Sequence, residues 1–204
     1  MAMIEIEKKF LLTDNQLNKL LKGARFISKK VFKDVYFDTN DYKLTTQDYW
    51  LRLRENRYEL KLPLTLFSAS KTNRYHEITD AKEVANALNL RDDIDLGEAL
   101  SEAGIKDFIT VITERSSYEK EGFHIDIDSA TYVGSNFKYA VSEIELLIES
   151  EDGANLAEQK IIEFATRLGL TVDKVIYGKV LAYLHAEKHD HYEALVRAGV
   201  SRVK

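Results

Sequence analysis

Carboxylates recur at alternate positions in three stretches of this chain: Glu5 and Glu7, Asp126 and Asp128, and Glu143 and Glu145. Arginines do the same at Arg52 and Arg54, and Glu59 and Lys61 form a mixed pair. Lys9 continues the first series, and His124 precedes the second. Alternate residues of an extended strand share a face. The residues between them are largely apolar, as in Ile4 and Ile6, Leu51 and Leu53, Ile125 and Ile127, or Ile144 and Leu146. Carboxylates hold a hard divalent cation through oxygen, and arginines grip phosphate oxygens, bidentately where geometry allows. The combination suits a divalent cation bound to a polyphosphate.

Two arrangements satisfy this alternation. In one, the apolar faces form a core and the charged faces meet water. In the other, helices cover the apolar faces and the sheet closes on its charged faces, making a polar tunnel. Ordinary solvent faces mix Thr, Ser, Gln and Lys. Here acids gather in the first strand and the last two, and arginines gather between Trp50 and Arg54. Buried like charges repel unless opposite charge sits between them, which a bound cation and a phosphate chain would provide.

The elements that must position these residues follow from periodicity. Strands are predicted over about 3–12, 25–38, 49–56, 57–64, 73–79, 107–118, 122–133 and 138–149. Glu55-Asn56-Arg57, Lys120-Glu121-Gly122 and Gly134-Ser135-Asn136 read as tight turns, so consecutive strands pair antiparallel. Helices are predicted over Asp14–Lys22, with Thr13 or Asp14 as N-cap, then Asp80–Leu90, Leu96–Ala103, Asn155–Leu168, Asp173–Lys188 and Asp190–Ala198. No repeat, linker or low-complexity tract divides residues 1–204, so one domain is expected. The fold class is α+β: an eight-stranded antiparallel closed β-barrel with helices packed outside.

Composition removes several function classes. There is no cysteine, hence no disulfide framework, thiolate zinc site or cysteine nucleophile. That fits a cytoplasmic location. No apolar run approaches a membrane span, and a start carrying Glu5 and Glu7 is no signal peptide. A net charge of -5 without a lysine-rich tract argues against nucleic acid as a partner, and nothing calls for an obligate protein partner. No Gly-rich phosphate loop is present, so side chains must hold any phosphate.

Motifs in order along the chain carry a resemblance. Glu5-x-Glu7-x-Lys9 resembles the ExExK signature of the CYTH superfamily, the triphosphate tunnel metalloenzymes. Tyr36-Phe37-Asp38-Thr39, Trp50 to Glu55 and Glu59-Leu60-Lys61 look like the family's next three strands, and Thr113-Glu114-Arg115 like its TxR strand. Asp126-Ile127-Asp128 and Glu143-Ile144-Glu145 look like its late acidic strands, and Lys179 matches a lysine on its C-terminal helix. Arg74-Tyr75-His76-Glu77 is a looser match to an RxxE-like strand, and the serine-rich stretch from Pro63 to Arg74 has no clear counterpart. The tryptophan before the arginine pair and the run Lys179 to Leu184 are most similar to the thiamine triphosphatase branch.

The resemblance implies a tunnel open at both ends and hydrolysis of the terminal phosphate of thiamine triphosphate or inorganic triphosphate. The implied cofactor is magnesium, with manganese as the alternative. Glu143 and Glu145 would hold it with Asp126 and with Glu5 or Glu7. Asp128 would be a further ligand or the cap of the following turn. Lys9, Arg52, Arg54, Arg115 and Lys179 would bind phosphate oxygens. Lys61 would contact phosphate or, with a pKa lowered among cations, act as base on water, and Tyr36 would hydrogen-bond it. Trp50 would stack on the organic part of the substrate. His189 and His191 resemble a metal pair, but on a polar terminal helix they read as solvated. Two other activities compete: a class IV adenylyl cyclase making cyclic AMP from ATP, and a non-catalytic polyphosphate- or nucleotide-binding module.

Overall fold

The computed structural model describes residues 4–64 and 72–201. Eight strands close into one antiparallel barrel: β1 (Ile4–Phe10), β2 (Arg25–Asp38), β3 (Trp50–Arg54), β4 (Arg57–Pro63), β5 (Asn73–Ile78), β6 (Lys106–Lys120), β7 (Phe123–Tyr132) and β8 (Lys138–Ile148). They stand in the order β1-β5-β4-β3-β2-β6-β7-β8, with β8 returning to β1. The helices are α1 (Asp14–Leu21), α2 (Ala81–Ala87), α3 (Leu96–Glu102), α4 (Ala154–Arg167), α5 (Lys179–Glu187) and α6 (His189–Arg197). No helix of the described residues is long and apolar enough to cross a membrane. Residues 65–71 of the serine-rich stretch lie outside the described residues.

Local chemistry sets the joints. Glu55 and Asn56, between β3 and β4, both take positive φ (46° and 65°), as do Glu121 and Gly122 between β6 and β7 (53° and 81°). Two such residues in succession make the turn whose twist matches a hairpin. Thr13 caps α1: its side chain accepts from the Gln16 amide, and the Gln16 side chain accepts from the Thr13 amide, a capping box.

The charged faces turn inward, because the apolar faces have better company outside. Ile4, Ile6, Phe10, Ile125 and Ile144 pack against Ile161 and Phe164 of α4. Leu51 and Leu60 pack against Val84 of α2 and Leu100 of α3. Burying these side chains stabilises the barrel by about 1.5–3 kcal/mol each, which a solvent-facing apolar sheet would forgo.

Two expectations are corrected here. The helix predicted from Asp173 begins only at Lys179. The Tyr139 hydroxyl donates to the Tyr177 carbonyl at 2.8 Å, just before the helix, and the Tyr132 hydroxyl to the carbonyl of Lys179, its first residue, at 2.8 Å, so barrel residues anchor the helix start. Nor is the tunnel equally open at both ends. Tyr36, Val111, Ala130 and Tyr132, at one end of the inner wall, pack against Val180, Tyr183 and Leu184 of α5 and Leu195 of α6. The C-terminal helices therefore cover that end.

His191 is the third correction. His189 is exposed, but His191 is buried at 4% exposure. It shares the inner face of α6 with Leu195, four residues on. Its Nε2 lies 2.7 Å from Thr45 Oγ1, whose hydroxyl donates to Asp38 at 2.6 Å, and its ring stacks on Tyr42 at 3.9 Å. Burial lowers its pKa to about 4, against the opposing pull of Asp38. The folded protein thus binds this proton less readily than the unfolded chain. Stability should be full above the unfolded value of about 6.5 and fall as pH drops toward 4. Thermal melts across that window should show the loss, and His191→Leu should shrink it. An unchanged pH slope in the variant would remove this role.

Candidate active site

Strand register assembles the site from distant segments. Glu7 stands opposite Glu145 and Lys9 opposite Glu143. Glu143 is also opposite Asp126, and Glu145 opposite His124. Arg115 faces Asp128; Tyr36 faces Arg52, and Asp34 faces Arg54. Trp50 pairs with Lys61. Of the residues singled out from the sequence for metal, phosphate or organic binding, all but Asp126 and Asp128 line one cavity of about 610 Å³. Asp126 is buried beside it, its carboxylate taken by Ser117 at 2.6 Å, by His124 and by Arg115.

The acids fall into two groups. Ligand oxygens of Glu5, Glu7 and Glu145 lie within 4.8 Å of one another, and so do ligand atoms of His124, Asp126 and Glu145. Glu145 belongs to both. Burial, together with the charges of Glu5, Asp126 and Glu7, pushes its carboxyl up to about 9. Burial also raises Glu5, but its ion pair with Lys61 wins and brings it down to about 2. Glu7 pairs with Lys9. Glu143 stands apart from both groups. Its carboxylate is 2.9 Å from Arg115 and 3.8 Å from Lys9, and Lys179, Lys9 and Arg115 outweigh burial and hold it well below the usual carboxylate range. The donor set around Glu145 is mainly hard oxygen, and among the described residues Glu145 has no lysine or arginine partner, only His124 at 4.0 Å. That fits a divalent cation such as magnesium or manganese.

The cations form the other wall. Arg52 Nε donates to Glu59 at 2.7 Å, and Arg54 makes a two-pronged contact with Asp34 at 2.6 and 2.7 Å. Nη1 of each has no partner among the described residues. Arg115 is different: Asp126, Asp128 and Glu143 take all three of its nitrogens. Asp128 also pairs with Lys179, so it neither caps the turn nor joins either acid group. Lys61 lies among acids, not cations. Burial lowers its pKa, but Glu5 and Glu7 pull it well above the ordinary value. It is therefore a fixed cation, and the expected base role does not stand in this arrangement. Tyr36 makes no hydrogen bond to Lys61; it packs beneath α5. α5 starts at Gly178 without a side-chain cap, and its first turn lines the cavity, adding free amides and the positive dipole end. A Cβ on Gly178 would come within 3.2 Å of the Lys9 side chain, so glycine there lets the helix start approach that cation.

Sequence reasoning missed Asp34, Asp48, Tyr75 and residues 175–178. Asp34 was readable, since it shares a face with Tyr36 on β2. The others reach the cavity from loops or through register.

A family model for the CYTH domain matches residues 3–176. The chain belongs to the CYTH domain family. Thiamine-triphosphatase of Homo sapiens is 29% identical over 220 residues, covering 98% of this chain and 93% of that protein. A putative adenylate cyclase of Methanocaldococcus jannaschii is 25% identical over 179 residues, covering 85% and 94%. Among solved structures, the PH1819 protein of Pyrococcus horikoshii OT3 superposes with a TM-score of 0.61 at 22% identity, covering 90% of this chain and 99% of that one. The last comparison bears on the fold, which is the CYTH barrel.

Proposed function

We propose that this CYTH protein is a divalent-metal-dependent triphosphatase that removes the terminal phosphate of a triphosphate, with thiamine triphosphate the first candidate and inorganic triphosphate the second. One observation carries the reading: a single cavity has an acid group centred on Glu145 and a wall of cations, with Trp50 beyond the arginine pair. Glu5, Glu7 and Glu145 would hold the cation, which when bound would neutralise phosphate oxygens and favour attack by water. Arg52 and Arg54, held by Glu59 and Asp34, present preset donors to charge that spreads over the transferring phosphoryl group. Lys9, Lys61 and Lys179 add fixed positive charge. Arg115 holds Asp126, Asp128 and Glu143 in place.

Trp50 lies two residues from Arg52 on the same face, about 6–7 Å along the strand. Trp50→Ala should lower the preference for thiamine triphosphate over inorganic triphosphate about tenfold, a stacking loss on the order of 1–2 kcal/mol. Steady-state kcat/KM on both substrates measures this. An unchanged preference would make Trp50 a barrel support and remove thiamine triphosphate as first candidate.

A further inference from the structure

We infer that Asp48 is the anionic half of a subsite for a positively charged organic group, at the Trp50 end of the cavity. The inference deepens the triphosphatase reading by naming the charge of the group that the phosphates carry.

Asp48 ends the short 3-10 turn Thr45–Gln47 in the left-handed region, with φ 61°. Aspartate is common at such turns, where its side chain usually meets water or caps its own backbone. Here the residue lines the cavity instead. Its Oδ1 accepts from the Trp50 indole N–H at 2.7 Å and from the Tyr75 hydroxyl at 3.0 Å. Oδ2 has no hydrogen-bond partner among the described residues.

The contrast with its neighbours is one of charge. Glu5, Glu7, Asp34, Glu59, Asp128 and Glu143 each pair with a lysine or arginine. Among the described residues none lies within 4.0 Å of Asp48, and Lys9 acts on it only from further away. Burial accordingly pushes its carboxyl above the usual range. An inward carboxylate with no ion-pair partner is costly. An indole and a phenol ring stand beside it, and both attract cations through their faces. A carboxylate flanked by two aromatic rings is the chemistry that takes an organic cation such as a thiazolium, and disfavours a second anionic group.

Asp48→Asn separates this from a purely structural clamp, since the amide oxygen still accepts from Trp50 and Tyr75 while the charge is gone. Trp50 is the chain's one tryptophan, so its fluorescence reports binding without turnover. Thiamine, a cation without phosphate, is the probe, and Asp48→Asn should weaken its binding about tenfold. The variant's kcat/KM preference for thiamine triphosphate over inorganic triphosphate should fall by a similar factor. Equal losses on both substrates, or unchanged thiamine quenching, would overturn the subsite even if wild-type protein hydrolyses triphosphates. If wild-type protein releases no phosphate yet binds thiamine, and Asp48→Asn weakens that binding, the subsite holds and the triphosphatase reading falls.

Discussion

Glu145→Gln is expected to abolish phosphate release while leaving the barrel folded. The substitution keeps shape and removes the one charge shared by both acid groups. Loss of a direct ligand leaves the phosphate charge poorly balanced, and the expected fall in kcat is about a hundredfold or more. The metal-free protein should respond in the opposite sense. Glu145 has its carboxyl raised to about 9 by burial and by Glu5, Asp126 and Glu7. The folded state therefore holds a proton that the unfolded chain gives up near pH 4.5. Its contribution to stability is full below that unfolded value and is lost as pH rises through the folded one. With metal chelated, wild-type protein should become less stable from neutral pH toward 9, and Glu145→Gln should flatten that slope. Metal binding must displace the proton, so affinity should rise over the same range. Full activity of the variant at saturating magnesium would exclude Glu145 from the metal.

Arg52→Ala is expected to lower kcat/KM by about a hundredfold to a thousandfold, the usual cost of removing a preset donor to transition-state charge. Glu59 keeps a partner in Arg57 at 2.9 Å, which limits damage to the fold. Arg52→Lys keeps the charge but loses the planar fork, and should recover part of the rate. If Arg52→Ala lost stability in proportion to activity, or if both variants kept wild-type kcat/KM, Arg52 would be a wall residue and no phosphate ligand.

Much of this was legible in the sequence. The predicted strands match all eight observed ones, and in β1, β3, β4, β7 and β8 one face is apolar and the other ionic. Alternation left open which face turned inward; helix α4 on Ile6, Ile125 and Ile144 answers that, through contacts between segments far apart in the chain. The site residues converge as the motifs implied, but their pairings were not readable. Glu143 looked equivalent to Glu145, yet cross-strand register sets it beside Lys9 and near Arg115. Lys61 was expected among cations, and Glu5 and Glu7 reach it through the neighbouring β1–β5–β4 pairings. Asp48 and residues 175–178 sit in turns, where no periodicity reports which way a side chain points.

The proposed activity of this cavity is metal-dependent hydrolysis of a triphosphate, thiamine triphosphate first. The direct measurement is product analysis after incubation with thiamine triphosphate, inorganic triphosphate, ATP and GTP, with magnesium, then manganese, then chelator. Orthophosphate and thiamine diphosphate are expected from thiamine triphosphate, at a higher kcat/KM than from the other three, and none with chelator. Pyrophosphate and cyclic AMP from ATP, or tight triphosphate binding without turnover under either metal, would contradict this activity.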